Sequence, residues 1–420
     1  MHTVSFESQL SRPVSGCDLA VLVPVFPKLS ETFVLGDLLA LEDAGVRLRV
    51  FSVRLPEAGL VHSAVQRLRA DVEYLPEISG RRPSLVLRAT QAALLVRDPR
   101  HYARGLAEIY ASADYSRLRL QQALLLARRL DRLGCPPLYI HFAHKPATIG
   151  RFASLLLGTP FAISAHAVDV WTPPIKELRA KFRDARLVLC CYREAQDHVR
   201  RLVDGHTPVE LAHHGVDVPL TPRREELSPP VLLSVGRLME KKGFDTFLRA
   251  AALVRDRGLD FRVRIVGDGP LWATLQRLVN ELELGEIVRF MGPLTQEELV
   301  DQYSQATMFV LASQIAADGN RDGMPNTLLE AMAHRLPVVS STLPSIAEAI
   351  GEGEHGLLVA PRDPVALAGA LVRLLEDDSL RERLAGAARA RVIDRYDRAA
   401  LAPRVREALT SAGLLGDRGR

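Results

Sequence analysis

A chain of 420 residues, 47% of them hydrophobic and 25% charged, exceeds what one hydrophobic core usually supports, so two domains are expected. No apolar run approaches the roughly 18 residues of a membrane span, and the opening "MHTVSFESQLSRPVSG" lacks the continuous apolar core of a signal peptide, which predicts a cytoplasmic product. The formal net charge of +4 is unevenly spread: residues 81–134 hold eleven arginines against four acids, a net +7 that leaves −3 for the remainder.

In chain order, strand-like apolar runs come first at "DLAVLVPVF", "RLRVFSV", "LYIHFA", "FAISAH", "RLVLCCY" and "VELAHHG", with helical patterns between them. This alternation reads as βαβ units around a mostly parallel sheet. The arginine-rich stretch includes "LRLQQALLLARRLDRL", whose leucines recur at helical spacing, and it is read as a basic amphipathic surface for anionic lipid or as a solvated face. Proline and charge then mark "DVPLTPRREELSPP" as a linker.

The second half repeats the plan with "VLLSVG", "FRVRIVG", "IVRFMG", "MFVLAS", "PVVSS" and "GLLVA". Continuous apolar strands of this kind belong to a sheet covered on both faces. The predicted fold is α/β, two doubly wound Rossmann-like domains facing across a cleft: residues 1–220, residues 221–393, and a helical tail 394–420 packing back on the first domain. Cys17, Cys135, Cys190 and Cys191 lack metal-type spacing and read as core thiols.

Ligands of such sheets bind outside the carboxyl ends of the strands, so the loops there carry the chemistry. "SVGRLMEKKGF" sets Gly236 and Arg237 at a strand end and Lys241, Lys242 and Gly243 at the next helix start, a diphosphate site in charge and geometry. Gly267, Asp268, Gly269 and Pro270 form a tight turn over which a base or ribose fits, and Gly292 ends a further strand. "DGNRDGMPNTLLEAMA" opens like a calcium loop, but its twelfth place is Leu329 and Pro325 interrupts it, so calcium is rejected and Asp318 and Asn320 are read as loop caps. Pro325 is read as the first helical residue, leaving the N–H groups of Gly323 and Met324 free.

In this order and spacing, the stretches from Val231 to Ala360 resemble the nucleotide-sugar domain of glycosyltransferase family 4, retaining enzymes of the GT-B fold. "VFPKLSETFV", "IHFAHKPATIG", "FAISAHAVDVW" and "HHGVD" extend the likeness to the exopolysaccharide branch, the colanic acid and amylovoran type. Two departures stand out: "PKLSETF" replaces a glycine-rich loop, and Asp322 stands where many members have Glu.

The resemblance implies transfer of a hexose from a nucleotide diphosphate sugar to a glycan or lipid-linked glycan. It assigns Asp322 to sugar hydroxyls, Glu330 to ribose hydroxyls, and His166, with Asp169 nearby, to the sugar near the reacting centre. Ser30, Glu31, Thr32, His141 and His214 are placed in the cleft. Arg237 and Lys242 would stabilise the departing diphosphate, so no metal and no cofactor is expected, and no nucleic acid. The alternatives are a GT-B sugar-phosphate synthase or epimerase, a transferase for a small soluble acceptor, and a non-catalytic nucleotide-sugar-binding subunit.

Overall fold

The computed structural model describes residues 16–56, 60–75, 85–222, 224–225 and 227–416. It divides into two units. The first takes in the chain up to Cys191, Ala195–Ala212 and Ala402–Arg420; the second takes in Tyr192–Glu194 and His213–Leu401.

In the first unit, β1 (Leu19–Val25) is an interior strand of a seven-stranded sheet, and Leu19 to Val23 are fully buried. Burying each such side chain contributes about 1.5–3 kcal/mol relative to leaving it in water, which selects the uninterrupted apolar run. The other strands are β2 (Leu48–Arg54), β3 (Val72–Tyr74), β4 (Leu138–His141), β5 (Phe161–Ala165), β6 (Leu187–Cys190) and β7 (Val209–Leu211). Their order is β3-β2-β1-β4-β5-β6-β7 and every pairing is parallel.

The second unit holds β8 (Val231–Val235), β9 (Arg262–Val266), β10 (Val288–Gly292), β11 (Met308–Leu311), β12 (Val338–Ser341) and β13 (Leu357–Val359). The order is β10-β9-β8-β11-β12-β13, again all parallel. Both orders reverse direction beside the first strand, the switch point at which doubly wound sheets bind ligands.

The unit boundary falls at Ala212 rather than at residue 220, because Val216 is fully buried in the second unit's core and exchanges backbone bonds with Tyr396 and Arg398. The tail divides inside the helix Arg398–Ser411, not at residue 394. Val392 and Tyr396 pack in the second core, whereas Ala408, Leu409 and Leu414 pack with Leu19, Val21 and Val23 in the first.

The leucine-striped helix, read from sequence as a lipid-facing or a solvated basic face, turns most of its leucines inward. Arg117–Arg132 buries Leu120, Leu124, Leu125, Leu126 and Leu130. Arg129 is itself buried against Glu73 of β3 at 2.6 Å, and Arg128 pairs with Asp131. Helical spacing reports an apolar face without saying what covers it. No helix among the described residues is long and apolar enough to cross a membrane.

Candidate functional site

In the second unit, the turn after β8 is shaped by a glycine. Gly243 has φ +63°, and a Cβ there would lie 1.8 Å from the Ala312 carbonyl oxygen. Any side chain would therefore push the start of the helix Phe244–Arg255 off the end of β11. The short 3₁₀ turn Glu240–Lys242 precedes it and directs two lysines to one point. Gly267 plays a matching part: with φ +130° and a would-be Cβ 2.1 Å from the Gly236 oxygen, it lets the β9 loop lie directly on the β8 loop. Gly236 N donates to Val266 O, Gly267 N to Gly292 O and Leu238 N to Asp268 O, so three strand ends form one ledge. Arg237 is exposed in this ledge, and Gly269 packs against Leu238 O.

Asp322 closes the arrangement from the loop that follows β11. It is 4% exposed, and its Oδ2 lies 2.9 Å from Lys242 Nζ while its Oδ1 lies 3.2 Å from Lys241 Nζ. Ser313 Oγ donates to Oδ2 at 2.6 Å, and Ser345 Oγ donates to the Asp322 carbonyl at 2.9 Å. Burial by itself would raise this carboxyl, but Lys242 and Lys241 hold it down to about 2, so it is ionised. Burial also lowers the Lys242 ammonium, against the pull of Asp322. The loop between them is pinned by Gln314, whose N–H donates to Lys241 O and whose side-chain amide donates to Glu240 O.

The former calcium-like stretch is a loop in its own right. Asp318 Oδ1 accepts from Asn320 N at 2.9 Å, the bond expected of an Asx cap. The helix begins at Asn326, and Pro325 is its N-cap with ψ 114° rather than its first helical residue. The proline instead supplies a carbonyl that accepts from Leu328 N and Leu329 N. Gly323 is half-buried and Met324 buried ahead of it.

Glu330, on that helix, occupies a different environment from Asp322. It is 6% exposed and accepts from the Tyr303 hydroxyl at 2.8 Å. Burial raises its carboxyl, opposed by the hydrogen bond from Tyr303. One carboxylate is held directly by two ammonium groups and the other chiefly by a neutral hydroxyl, which pushes their proton affinities apart.

The first unit assembles a separate cluster. His166, after β5, stacks parallel to His141 at 5.8 Å and 4°, and lies against Phe33 at 4.7 Å and Phe142 at 4.4 Å. Phe33 follows Ser30, Glu31 and Thr32, so the "SETF" loop reaches His166 through its aromatic ring; Ser30 is exposed and Glu31 pairs with Lys28. Asp169 is fully buried and accepts from the backbone N–H groups of His166 and Ala143, tying the β4 and β5 loops together. Burial raises its carboxyl to about 6 even so. His141 is fully buried, and burial lowers its imidazole to about 3. His214 is buried in the second unit, beside His213, which pairs with Glu348 at 2.7 Å.

The sequence reading assigned Lys242 to a diphosphate and Asp322 to a sugar; the structure joins them in one ion pair. It also adds Ser313, Ser345 and Tyr303, which had no site role, and sets Lys241, already read into the diphosphate site, on the carboxylate's other oxygen. Adjacent lysines at a helix start were a visible signal for Lys241; the two serines and the tyrosine carry none.

Two parallel Rossmann-like sheets, with a glycine ledge at the carboxyl ends of the second and a pair of lysines there closed by an ionised carboxylate, are features of a GT-B glycosyltransferase. Residues 229–377 match the profile of the family described as glycosyl transferases group 1. Over 379 residues the chain is 27% identical to WcaL of Escherichia coli (strain K12), named a colanic acid biosynthesis glycosyltransferase, covering 84% of this chain and 89% of the relative. It is 28% identical to the amylovoran biosynthesis glycosyltransferase AmsK of Erwinia amylovora, covering 87% and 93%. Among solved structures, sucrose-phosphate synthase from Thermosynechococcus elongatus aligns with TM-score 0.72 at 20% identity, covering 94% and 98%. Anabaena Alr3699/HepE in complex with UDP and glucose aligns with TM-score 0.70 at 17% identity, covering 94% and 100%.

Proposed function

We propose that this protein is a family 4, retaining glycosyltransferase that moves a hexose from a nucleotide diphosphate sugar to a hydroxyl of a growing exopolysaccharide, carried on lipid at the cytoplasmic face of the membrane. The observation that carries the donor assignment is the convergence of Lys241, Lys242 and Asp322 beside the glycine ledge. Two ammonium groups at a helix start suit a diphosphate, and an ionised carboxylate between them suits sugar hydroxyls. The names of the colanic acid and amylovoran relatives support the acceptor class.

In this reading, Lys242, already placed by Asp322, and the exposed Arg237 stabilise negative charge as the diphosphate leaves. Glu330 accepts from the ribose hydroxyls, and the N–H groups of Gly323 and Met324 face the donor. His166, fixed through Asp169, contacts the sugar. No protein nucleophile is assigned, so attack is on the front face, with the leaving diphosphate taking the acceptor proton. The two lysines supply the positive charge that a metal ion would otherwise bring.

Incubating the protein with a panel of nucleotide sugars tests the reading, with product followed by proton NMR. Slow release of sugar with the donor's anomeric configuration is the expected result. An inverted product would remove retention, and release from no donor would remove the enzymatic reading. Transfer to a sugar phosphate in place of a glycan would instead favour a synthase.

A further inference from the structure

We propose that Tyr303 is a positioning residue for donor binding: its hydroxyl holds one oxygen of Glu330 so that the other is presented to the ribose hydroxyls of the nucleotide. The inference rests on the assignment of Glu330 made above. Tyr303 is fully buried, and its Oη donates to Glu330 Oε2 at 2.8 Å. It stands on the helix Gln296–Gln305, which opens with a complete capping box between Thr295 and Glu298, so the hydroxyl is delivered by a rigid element. The ring is held on its flanks by His334, stacked at 5.1 Å, and by Phe309 at 6.3 Å.

A buried hydroxyl is costly unless it is bonded, and phenylalanine would fill the same space. What the hydroxyl adds is a directed donor to the Glu330 carboxylate. The bond from Tyr303 to Oε2 fixes the rotation of the carboxylate, so that Oε1 is the oxygen presented to the vicinal diol. The other groups acting on Glu330 are the Gln296 side chain, which hydrogen-bonds it, Arg398, which favours its charge, and Asp217, which opposes it. His334, kept neutral by burial, touches the tyrosine ring.

The test is calorimetry on the full chain with UDP, GDP and ADP, continued with the tightest binder and its 2′,3′-dideoxy analogue. Tyr303→Phe should weaken the ribonucleotide about tenfold, the usual worth of one hydrogen bond to a charged group, and leave the dideoxynucleotide unchanged. An unchanged ribonucleotide affinity, or equal losses on both nucleotides, would overturn the proposal, the second by showing a merely structural role. The wild type supplies an independent measurement if the variant does not fold. The preference for ribose over dideoxyribose should vanish as pH falls through the raised Glu330 value, whereas a pH-independent preference overturns the assignment. Taking the ratio cancels titration of the phosphate. A wild type that binds none of the three nucleotides would instead remove the donor reading itself.

Discussion

Lys242 and Asp322 are eighty positions apart and meet at 2.9 Å, with Lys241 on the carboxylate's other oxygen. The pair sets how much positive charge the pocket offers to an anion. With Asp322 ionised, the two lysines present a net +1; without it they present +2. Asp322→Asn should therefore bind a nucleoside diphosphate at least as tightly as wild type while losing most transfer. It should also melt lower without nucleotide, because removing one partner of a buried pair leaves the other uncompensated. Calorimetry and thermal melting read both, and weaker nucleotide binding would show that Asp322 contacts the nucleotide directly.

Lys242→Ala and Arg237→Ala should each weaken nucleoside diphosphate binding by about 2 kcal/mol, the usual effect of losing a charged contact to an anion. The two should differ in stability. Lys242→Ala strands Asp322 beside a single lysine and lowers the melting temperature, whereas Arg237 is exposed and its loss should leave melting unchanged. Unchanged affinity in both variants would remove the diphosphate site.

Burial lowers His141 to about 3 and His144 to about 4, so both stay neutral in the folded protein under conditions where the unfolded chain takes up protons. The sign follows directly: the stability they contribute is complete above the ordinary histidine value of about 6.5 and is lost as pH falls toward 4. Each adds about 1.4 kcal/mol per pH unit to the slope across that window. Urea unfolding at several pH values should show His141→Gln with a shallower acid slope than wild type. Equal slopes would mean that His141 is protonated in the folded state.

If the acceptor is lipid-linked, the helix Arg117–Arg132 offers a membrane little apolar surface, because all its leucines except Leu118 are buried. Leu85 is 83% and Val96 80% exposed on the helix Leu85–Arg97, and Arg88 on that helix and Arg100 and Arg104 on the next, Pro99–Tyr110, are exposed as well. Each basic residue near an anionic bilayer contributes up to about 1 kcal/mol, screened by salt. Flotation with anionic vesicles should lose the variant carrying glutamine at these three arginines. Equal recovery of wild type on neutral and anionic lipid would favour a soluble acceptor.

The sheets were legible because strands covered on both faces must be apolar throughout, and twelve of the thirteen announced themselves as such runs. The thirteenth, β3, is three residues long, half-buried and centred on Glu73, which gives no periodic signal. Glycines beside a strand end and lysines at a helix start were also readable, since backbone conformation and helix-end charge are local properties. The chain alone therefore determined two parallel α/β sheets and where along it the loops with chemistry lie. Which charges neutralise one another was decided only in three dimensions. Arg129 reaching Glu73, Lys242 reaching Asp322 and Tyr303 reaching Glu330 join residues 56, 80 and 27 positions apart. Such contacts depend on how helices and loops pack onto the sheet, and no pattern confined to one element records them.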